Sequence, residues 1–315
     1  AGVISRTRVN LERTICGTLF PPDVEEGGIL TVSIELTAGQ DRVSIDPEDG
    51  ARLTSLVAGG AERLLTAPPE GAAPELVDFL WGCYLMVPWV GRLKDNEIRW
   101  GDETHIFPAN FGSQSIHGLV RDEAWEVDSS GDSTASMSCT LGNDRWPWGG
   151  SFRYEIDLAP GSLTLVLQGE AADRSMPLSM GWHPWFRRLG DTALKVDSDQ
   201  VLELDDDLIP TGNRRPVDDV TDLRTGPALG QRLLDHVYVS SRPPAVITWP
   251  DLSMAIEWSA PADTLVIHTP PAGFCVEPQT AWPNAPALAQ AGIEGTGLVV
   301  VEPGQTAALT TSWTW

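Results

Sequence analysis

The sequence has few cysteines and no long apolar run. No run approaches the roughly 20 residues that span a bilayer, and the opening stretch lacks the apolar core of a signal peptide. The four cysteines are far apart and form no C-x-x-C pair, so neither a zinc site nor a disulfide framework is indicated. They are Cys16, Cys83, Cys139 and Cys275. We therefore expect a cytoplasmic protein with reduced thiols and no membrane partner.

Basic residues are also scarce. The 21 Lys and Arg residues stand against 44 Asp and Glu residues, which gives a formal net charge of −23. This excess repels phosphate backbones, so nucleic acid is not an expected partner. The sequence has no glycine-rich phosphate loop, P-loop or metal-ligand cluster, and we expect no cofactor and no metal ion. It leaves open whether the protein is a monomer or a homodimer.

Long amphipathic helices are missing as well, which argues against a doubly wound sheet or a TIM barrel. The one weak helical pattern covers residues 71–85, GAAPELVDFLWGCYL. Short β-branched segments bounded by Gly, Pro, Asn or Asp predominate, among them RVSIDP, LTLVLQGEA, SMAIEW and DTLVIHT. We predict an all-β protein, a large antiparallel β-sandwich forming a single domain over residues 1–315. Residues 1–25 would be a peripheral extension, and residues 205–230 a long surface loop region.

Four separated segments place versatile polar residues at the ends of apolar strands, where loops often carry functional sites. The segments and their polar or aromatic residues are 87–127 with Arg92, His117 and Arg121; 178–188 with Trp182, His183 and Trp185; 232–239 with Asp235; and 273–287 with Glu277. Taken singly, each residue has an ordinary structural explanation, such as a turn, a strand end or a core histidine. A carboxylate after Phe-Cys-Val is costly to bury without a partner, and His183 is held among aromatic neighbours. We treat His105 and His268 as structural or surface residues.

Five pieces of the chain, in this order, resemble the aldose 1-epimerase (galactose mutarotase) family from about residue 40 to the C-terminus. They are PWVGRLKDNEIRWGDETHIFPANFGSQSIHGLVRDEAWEV, GWHPWF, LLDHVYV, CVEPQTAWPNAP and VVVEPGQTAALTTSWTW. The resemblance implies the galactose mutarotase-like supersandwich, in agreement with the strand-rich pattern. It also implies interconversion of the α and β anomers of an aldose, a small-molecule sugar substrate.

The resemblance further implies a role for each matching residue. Glu277 matches the general base that takes the proton of the anomeric hydroxyl, and His183 matches the general acid that protonates the ring oxygen. His117 matches a second histidine near that oxygen, while Asp235 and Arg92 match groups that bind sugar hydroxyls. Trp182 and Trp185 are candidates to line the site, as are Trp89 and Trp282, and Arg121 either orients a loop or approaches the sugar. One departure is that Gly91-Arg92 stands where the family commonly has Asn-Arg, which leaves the sugar preference open.

Three alternatives remain at this point. A hexose-6-phosphate 1-epimerase would need an arginine cluster, for which Arg92, Arg121, Arg187 and Arg188 are the candidates. A non-catalytic carbohydrate-binding sandwich would have no need of an acid and a base together. A glycoside hydrolase using Asp235 and Glu277 would leave the two histidines without a role.

Overall fold

Antiparallel β-strands are the predominant secondary structure of residues 33–315, the part of the chain that this computed structural model describes. In the first half of the chain the strands are β1 Ile34–Ala38, β2 Asp41–Asp46, β3 Arg52–Ala58, β4 Ala61–Glu62, β5 Cys83–Met86, β6 Glu97–Trp100, β7 Glu103–Ile106, β8 Glu126–Ser130, β9 Thr134–Leu141 and β10 Gly150–Ala159. They continue as β11 Ser162–Ala171, β12 Met176–Leu178, β13 Gly181–Phe186, β14 Ala193–Asp197, β15 Gln200–Leu204, β16 Pro210–Pro216, β17 Asp235–Val239, β18 Arg242–Thr248, β19 Ser253–Trp258, β20 Thr264–His268, β21 Phe274–Gln279, β22 Val299–Val301 and β23 Thr306–Thr314. The predicted all-β class is confirmed.

Helical structure is limited to short pieces within the described residues. One α-helix, α1, covers Ala285–Gln290, and three 3₁₀-helices cover Val77–Phe79, Lys94–Asn96 and Val120–Asp122. In this part of the chain we find no helix with the length and apolarity that crossing a membrane requires. The predicted N-terminal extension, residues 1–25, and Cys16 lie outside the described residues.

Two large sheets form the two layers of the sandwich. The larger sheet has eleven strands in the order β1-β2-β3-β5-β13-β21-β20-β17-β15-β16, with β4 beside β3. The smaller has eight, in the order β14-β18-β19-β23-β11-β10-β9-β8, and two further two-stranded sheets join β12 with β22 and β6 with β7. Neighbouring strands pair antiparallel. This arrangement is the predicted antiparallel sandwich.

One hydrophobic core fills the space between the two sheets. Side chains alternate between the two faces of a strand, and β11 accordingly directs Leu163, Leu165 and Leu167 inward, all fully buried. They belong to the same cluster as Leu36 and Val43 of the larger sheet. Burying a leucine or valine side chain stabilises the fold by about 1.5–3 kcal/mol, so this cluster fixes how the two sheets pack.

The central strands of the larger sheet are buried on both faces. Every residue of β5, β13 and β21 is buried. In β13, Trp182 and Phe186 join the core between the sheets, whereas Trp185 belongs to a second cluster that lies on the other face. That second face of the larger sheet carries the candidate site.

Two local predictions were wrong. Residues 71–85 are not a helix: they form the 3₁₀-helix Val77–Phe79 and then the strand Cys83–Met86. The turn between them is at Gly82, where φ is +68° and an added Cβ would lie 2.7 Å from the Leu53 carbonyl oxygen. Pairing in the sheet centre therefore overrides the weak helical pattern. Residues 205–230 are not a continuous loop either, because β16, Pro210–Pro216, adds an edge strand to β15.

Candidate active site

A cavity of about 130 Å³ lies on the second face of the larger sheet. Strands β5, β13, β21, β20 and β17 run side by side there and each contributes alternate side chains. The polar and aromatic side chains that line it include Tyr84, Arg92, Phe111, His117, His183, Trp185, Asp235, His268, Glu277 and Gln279. The structure thus brings the distant positions 92, 117, 183, 235 and 277 into one cavity.

His183 and Glu277 face each other across two paired strands. The register of β13 on β21 pairs Gly181 with Gln279 and Trp185 with Cys275, which sets His183 opposite Glu277. The His183 Nε2 and Glu277 Oε1 atoms are 3.3 Å apart, and the two side chains are 8% and 2% exposed. An imidazole and a carboxyl therefore share one contact inside the cavity wall.

Burial opposes the charged form of both members of this pair. Desolvation raises the pKa of Glu277 well above its ordinary value, Asp235 adds to the rise, and Arg92 opposes it. Desolvation also lowers the pKa of His183 well below its ordinary value, and His268 adds to the fall. Both shifts favour the neutral carboxylic acid and the neutral imidazole over the charged pair.

Aromatic rings fix the plane of the His183 imidazole. It stacks on Tyr84, with ring centroids 4.6 Å apart and planes 22° apart, and on Trp185, at 5.5 Å and 26°. The register pairs His183 with Tyr84 of β5. Its Nδ1 atom is buried and makes no hydrogen bond within the described residues. The stacking on both sides favours the ring plane in which Nε2 faces Glu277.

His117 presents its imidazole edge to His183, with ring centroids 5.0 Å apart at 83°. Its backbone is left-handed, with φ of +60°, and its N–H donates to the Gly91 carbonyl at 3.0 Å. The Gly91 N–H in turn donates to Nδ1 of His117 at 3.3 Å. An accepting Nδ1 leaves Nε2 carrying the ring proton. Desolvation, with His183 adding to it, lowers the pKa of His117 well below its ordinary value, so this ring is a neutral hydrogen-bond donor.

Arg92 and Asp235 supply charge at the rim of the cavity. The Arg92 Nε donates to the Gln114 side-chain oxygen at 2.8 Å, which leaves its terminal nitrogens for other acceptors. Asp235 pairs in register with His268 of β20, and its Oδ1 lies 3.6 Å from Nδ1 of His268. The Asp235 side chain is 42% exposed. A guanidinium and a carboxylate therefore offer both donors and acceptors to a polyhydroxylated ligand.

Two residues assigned to substrate binding do not line the cavity. Trp182 is fully buried in the core between the sheets, because it is next to His183 in a strand and so points to the opposite face. Arg121 is 5% exposed, its guanidinium lies 3.8 Å above the Phe79 ring, and it pairs with Asp122 at 2.7 Å. Arg121 therefore supports a cavity wall from behind. Trp89 and Trp282 do not line the cavity either; each packs in a hydrophobic cluster.

Sequence reasoning missed four of the polar and aromatic lining residues, which are Tyr84, Phe111, His268 and Gln279. Strand alternation would have found His268, since it lies on the strand paired with β21 and its register partner is Cys275, two residues before Glu277. Tyr84 carries no such signal, because all of CYLM is apolar and buried.

A wider cleft of about 830 Å³ adjoins the cavity. The two share the side chains of Leu204, Leu208, Asp235 and His268, so the small cavity opens into the larger cleft. The cleft lacks His117, His183 and Glu277, and these three side chains therefore lie only in the inner part. That part is smaller than the roughly 300–1,000 Å³ of a drug-sized site, which suits a ligand as small as one sugar ring.

Three neighbouring side chains, two of which line the cavity, can ligate a metal ion. Donor atoms of His183, Cys275 and Glu277 all lie within 4.8 Å of one another, and all three residues are buried. Cys275 lies two residues before Glu277 in β21 and so shares its face of the sheet.

Comparisons with known proteins agree with this fold. Residues 33–314 match the family model for aldose 1-epimerase. The solved structures most similar to the chain include a galactose mutarotase-like protein from Clostridium acetobutylicum, at a TM-score of 0.78 and 20% identity over 89% of this chain and 94% of that one. An aldose epimerase homologue from C. elegans has a TM-score of 0.76 and 16% identity, covering 90% and 98%. A galactose 1-epimerase from Lactobacillus acidophilus has a TM-score of 0.71 and 20% identity, covering 90% and 93%.

At these identities the solved structures show that the fold is shared, and the match over residues 33–314 shows the family. The chain belongs to the aldose 1-epimerase family.

Proposed function

We propose that this protein is an aldose 1-epimerase that interconverts the α and β anomers of a free aldose by acid–base ring opening. The observation that carries the proposal is the 3.3 Å approach of His183 Nε2 to Glu277 Oε1 in the wall of a small cavity. Family membership supports an isomerase acting on carbohydrates. The small sugar enters as the partner, and the reaction as written needs no cofactor.

Ring opening requires one proton to leave the anomeric hydroxyl and one to reach the ring oxygen. In the reactive form of the pair, Glu277 is a carboxylate and His183 an imidazolium. Glu277 takes the hydroxyl proton, His183 delivers its Nε2 proton to the ring oxygen, and the C1–ring oxygen bond breaks to give the open-chain aldehyde. The pair is then a neutral carboxylic acid and a neutral imidazole, the form that burial of both groups favours.

Ring closure reverses these transfers after the carbonyl has turned its other face. Rotation about the C1–C2 bond exchanges the faces, Glu277 returns its proton to the carbonyl oxygen, and His183 recovers a proton from the attacking hydroxyl. The Nε2–H of His117 stabilises charge at the ring oxygen through both steps, because its Nδ1 is engaged by Gly91. Arg92 and Asp235 hold sugar hydroxyls, and Trp185 offers an apolar ring face.

The arginine distribution favours a free aldose over a hexose 6-phosphate. Of the four candidate arginines only Arg92 lines the cavity. Arg188 donates to the backbone carbonyls of Gly230, Arg232 and Thr269, and Arg121 lies behind Phe79. A phosphate would need a cluster of cations that this cavity lacks among the described residues. A purely sugar-binding protein would have no need of an acid and a base together, and a glycoside hydrolase would leave His183 and His117 without a role.

The test is anomer exchange, followed by polarimetry and by NMR, on glucose, galactose and glucose 6-phosphate. We expect Glu277→Gln and His183→Asn each to slow exchange by about 10²–10⁴-fold while the circular dichroism spectrum is unchanged. His105→Asn is the matched control, because His105 lies in the β6–β7 hairpin beside Glu103, outside the cavity. Rates like the wild type in either active-site variant, or a preference for the phosphorylated sugar, would contradict the proposal.

A further inference from the structure

Cys275 is a buried thiol that the epimerase mechanism does not use. It is fully buried in β21, between Trp185 of β13 and His268 of β20 in the sheet register. Burial raises the pKa of its thiol well above the ordinary value, with Glu277 adding to the rise. Free Cys275 is therefore a neutral, unreactive thiol that packs beneath the acid–base pair.

One of the three donor separations matches that around a tetrahedral ion, and the other two exceed it by at most about 1 Å. Zinc binds sulfur at about 2.3 Å and nitrogen or oxygen at about 2.0–2.2 Å, so its ligand atoms stand roughly 3.3–3.8 Å apart. Here His183 Nε2 and Glu277 Oε1 are 3.3 Å apart, and all three donor atoms lie within 4.8 Å. Side-chain rotations that move the donors by about 1 Å would complete the geometry.

We propose that His183, Cys275 and Glu277 form a binding site for a thiophilic divalent cation, with Zn²⁺ as the ion that fits it best. The part of this inference that concerns inhibition rests on the proposed function, since an ion held here would occupy the acid and the base and compete with the sugar. A sulfur donor selects Zn²⁺ over Mg²⁺ and Ca²⁺, which prefer oxygen.

The charges of the site match a dication. Binding replaces the Cys275 thiol proton and the Glu277 carboxyl proton with the metal ion and releases both protons to solvent, while His183 ligates as the neutral imidazole. Two anionic ligands then balance the 2+ charge in a buried position. His183 and Glu277 line the cavity, so the fourth position of the ion opens towards it and is filled by water.

Cobalt(II) is the probe for the site, because its thiolate complexes absorb in the near ultraviolet and can be titrated without any sugar. Cys16 is replaced by serine in every sample so that this thiol cannot bind the probe. We expect the protein to show the thiolate-to-cobalt band and Zn²⁺ to abolish it by displacement. Cys275→Ser should remove the band and weaken Zn²⁺ binding by at least the 10–100-fold that loss of an outer-shell partner costs. Cys139→Ser changes a buried thiol of β9 in the other sheet. This variant should keep both the cobalt band and the Zn²⁺ affinity.

The second measurement is inhibition of anomer exchange. Zn²⁺ should raise the apparent KM for the sugar, and a chelator should return the KM to its original value. The KM of the Cys275→Ser protein should not respond to Zn²⁺. A protein with Cys275 intact but without the thiolate band would overturn the metal site, as would equal Zn²⁺ affinity after Cys275→Ser. Because the cobalt titration needs no activity, a band in a protein that does not exchange anomers would refute the proposed function and leave the metal site standing.

Discussion

Replacing Glu277 by glutamine should slow the reaction and stabilise the protein at neutral pH. Glutamine keeps the size of the side chain and removes the ability to accept the anomeric proton. A general base typically contributes about 10²–10⁴-fold, which corresponds to roughly 2.7–5.5 kcal/mol of activation free energy. We therefore expect kcat to fall by that factor in polarimetry, with binding of the sugar largely retained.

The stability gain follows from the raised pKa of the buried carboxyl. Between the unfolded-state pKa, about 4.3, and the higher folded-state pKa, the folded protein keeps a proton that the unfolded chain has lost. The free energy of unfolding of the wild type therefore falls by up to about 1.4 kcal/mol per pH unit across this window, through this group alone. Glutamine does not titrate, so the variant escapes this loss.

The measurement is urea unfolding of both proteins at several pH values from 4.5 to 8. Their stabilities should be similar near pH 4.5, where the wild-type carboxyl is neutral, and the variant should become increasingly the more stable protein towards pH 8. Catalytic loss together with a pH-dependent gain in stability is the expected signature. An offset between the two proteins that is the same at every pH, or a variant with undiminished kcat, would refute the reasoning.

Three further outcomes test the rest of the site. Trp185→Leu should raise the KM for the sugar in steady-state kinetics. Trp182→Leu should instead destabilise the fold by about 2–5 kcal/mol in urea unfolding. Equal effects of the two substitutions on KM would contradict the assignment of the two side chains to opposite faces of the sheet. Gly91→Asn should lower stability by about 1–3 kcal/mol, since its Cβ would lie 2.5 Å from that of Pro283; an unchanged Tm would contradict this. Because the pKa of His117 is lowered in the folded protein, the unfolded chain binds a proton below about pH 6.5 that the folded protein does not bind. The wild type therefore loses stability as the pH falls from about 6.5 to about 5, and the His117→Gln variant should lose less.

The sequence alone indicated both the resemblance to the aldose 1-epimerase family and the predominance of β-strands. Alternating segments such as LTLVLQGEA predict strands without reference to the rest of the chain, and β11 covers this segment. The sequence also placed His183 among aromatic residues, and burial does lower its pKa. Of the two rings that stack on it, however, only Trp185 is a neighbour in the chain, and Tyr84 comes from β5. The sequence also shows Gly91 where the aldose 1-epimerase family commonly has Asn. It could not show that Pro283 occupies the space that a larger side chain would need there.

Only the tertiary structure decided which face of each central strand carries the site. The amphipathic strands of the smaller sheet show the contrast between buried and exposed positions in their sequences, and so reveal their inner face. GWHPWF and FCVEPQ are buried on both faces, and a segment with no such contrast cannot show which alternate side chains meet the core. The pairing register then sets His183 opposite Glu277 and sends Trp182 to the other side. The sequence alone determined which segments form strands and which polar side chains these strands carry. Long-range strand pairing determined which of those side chains meet.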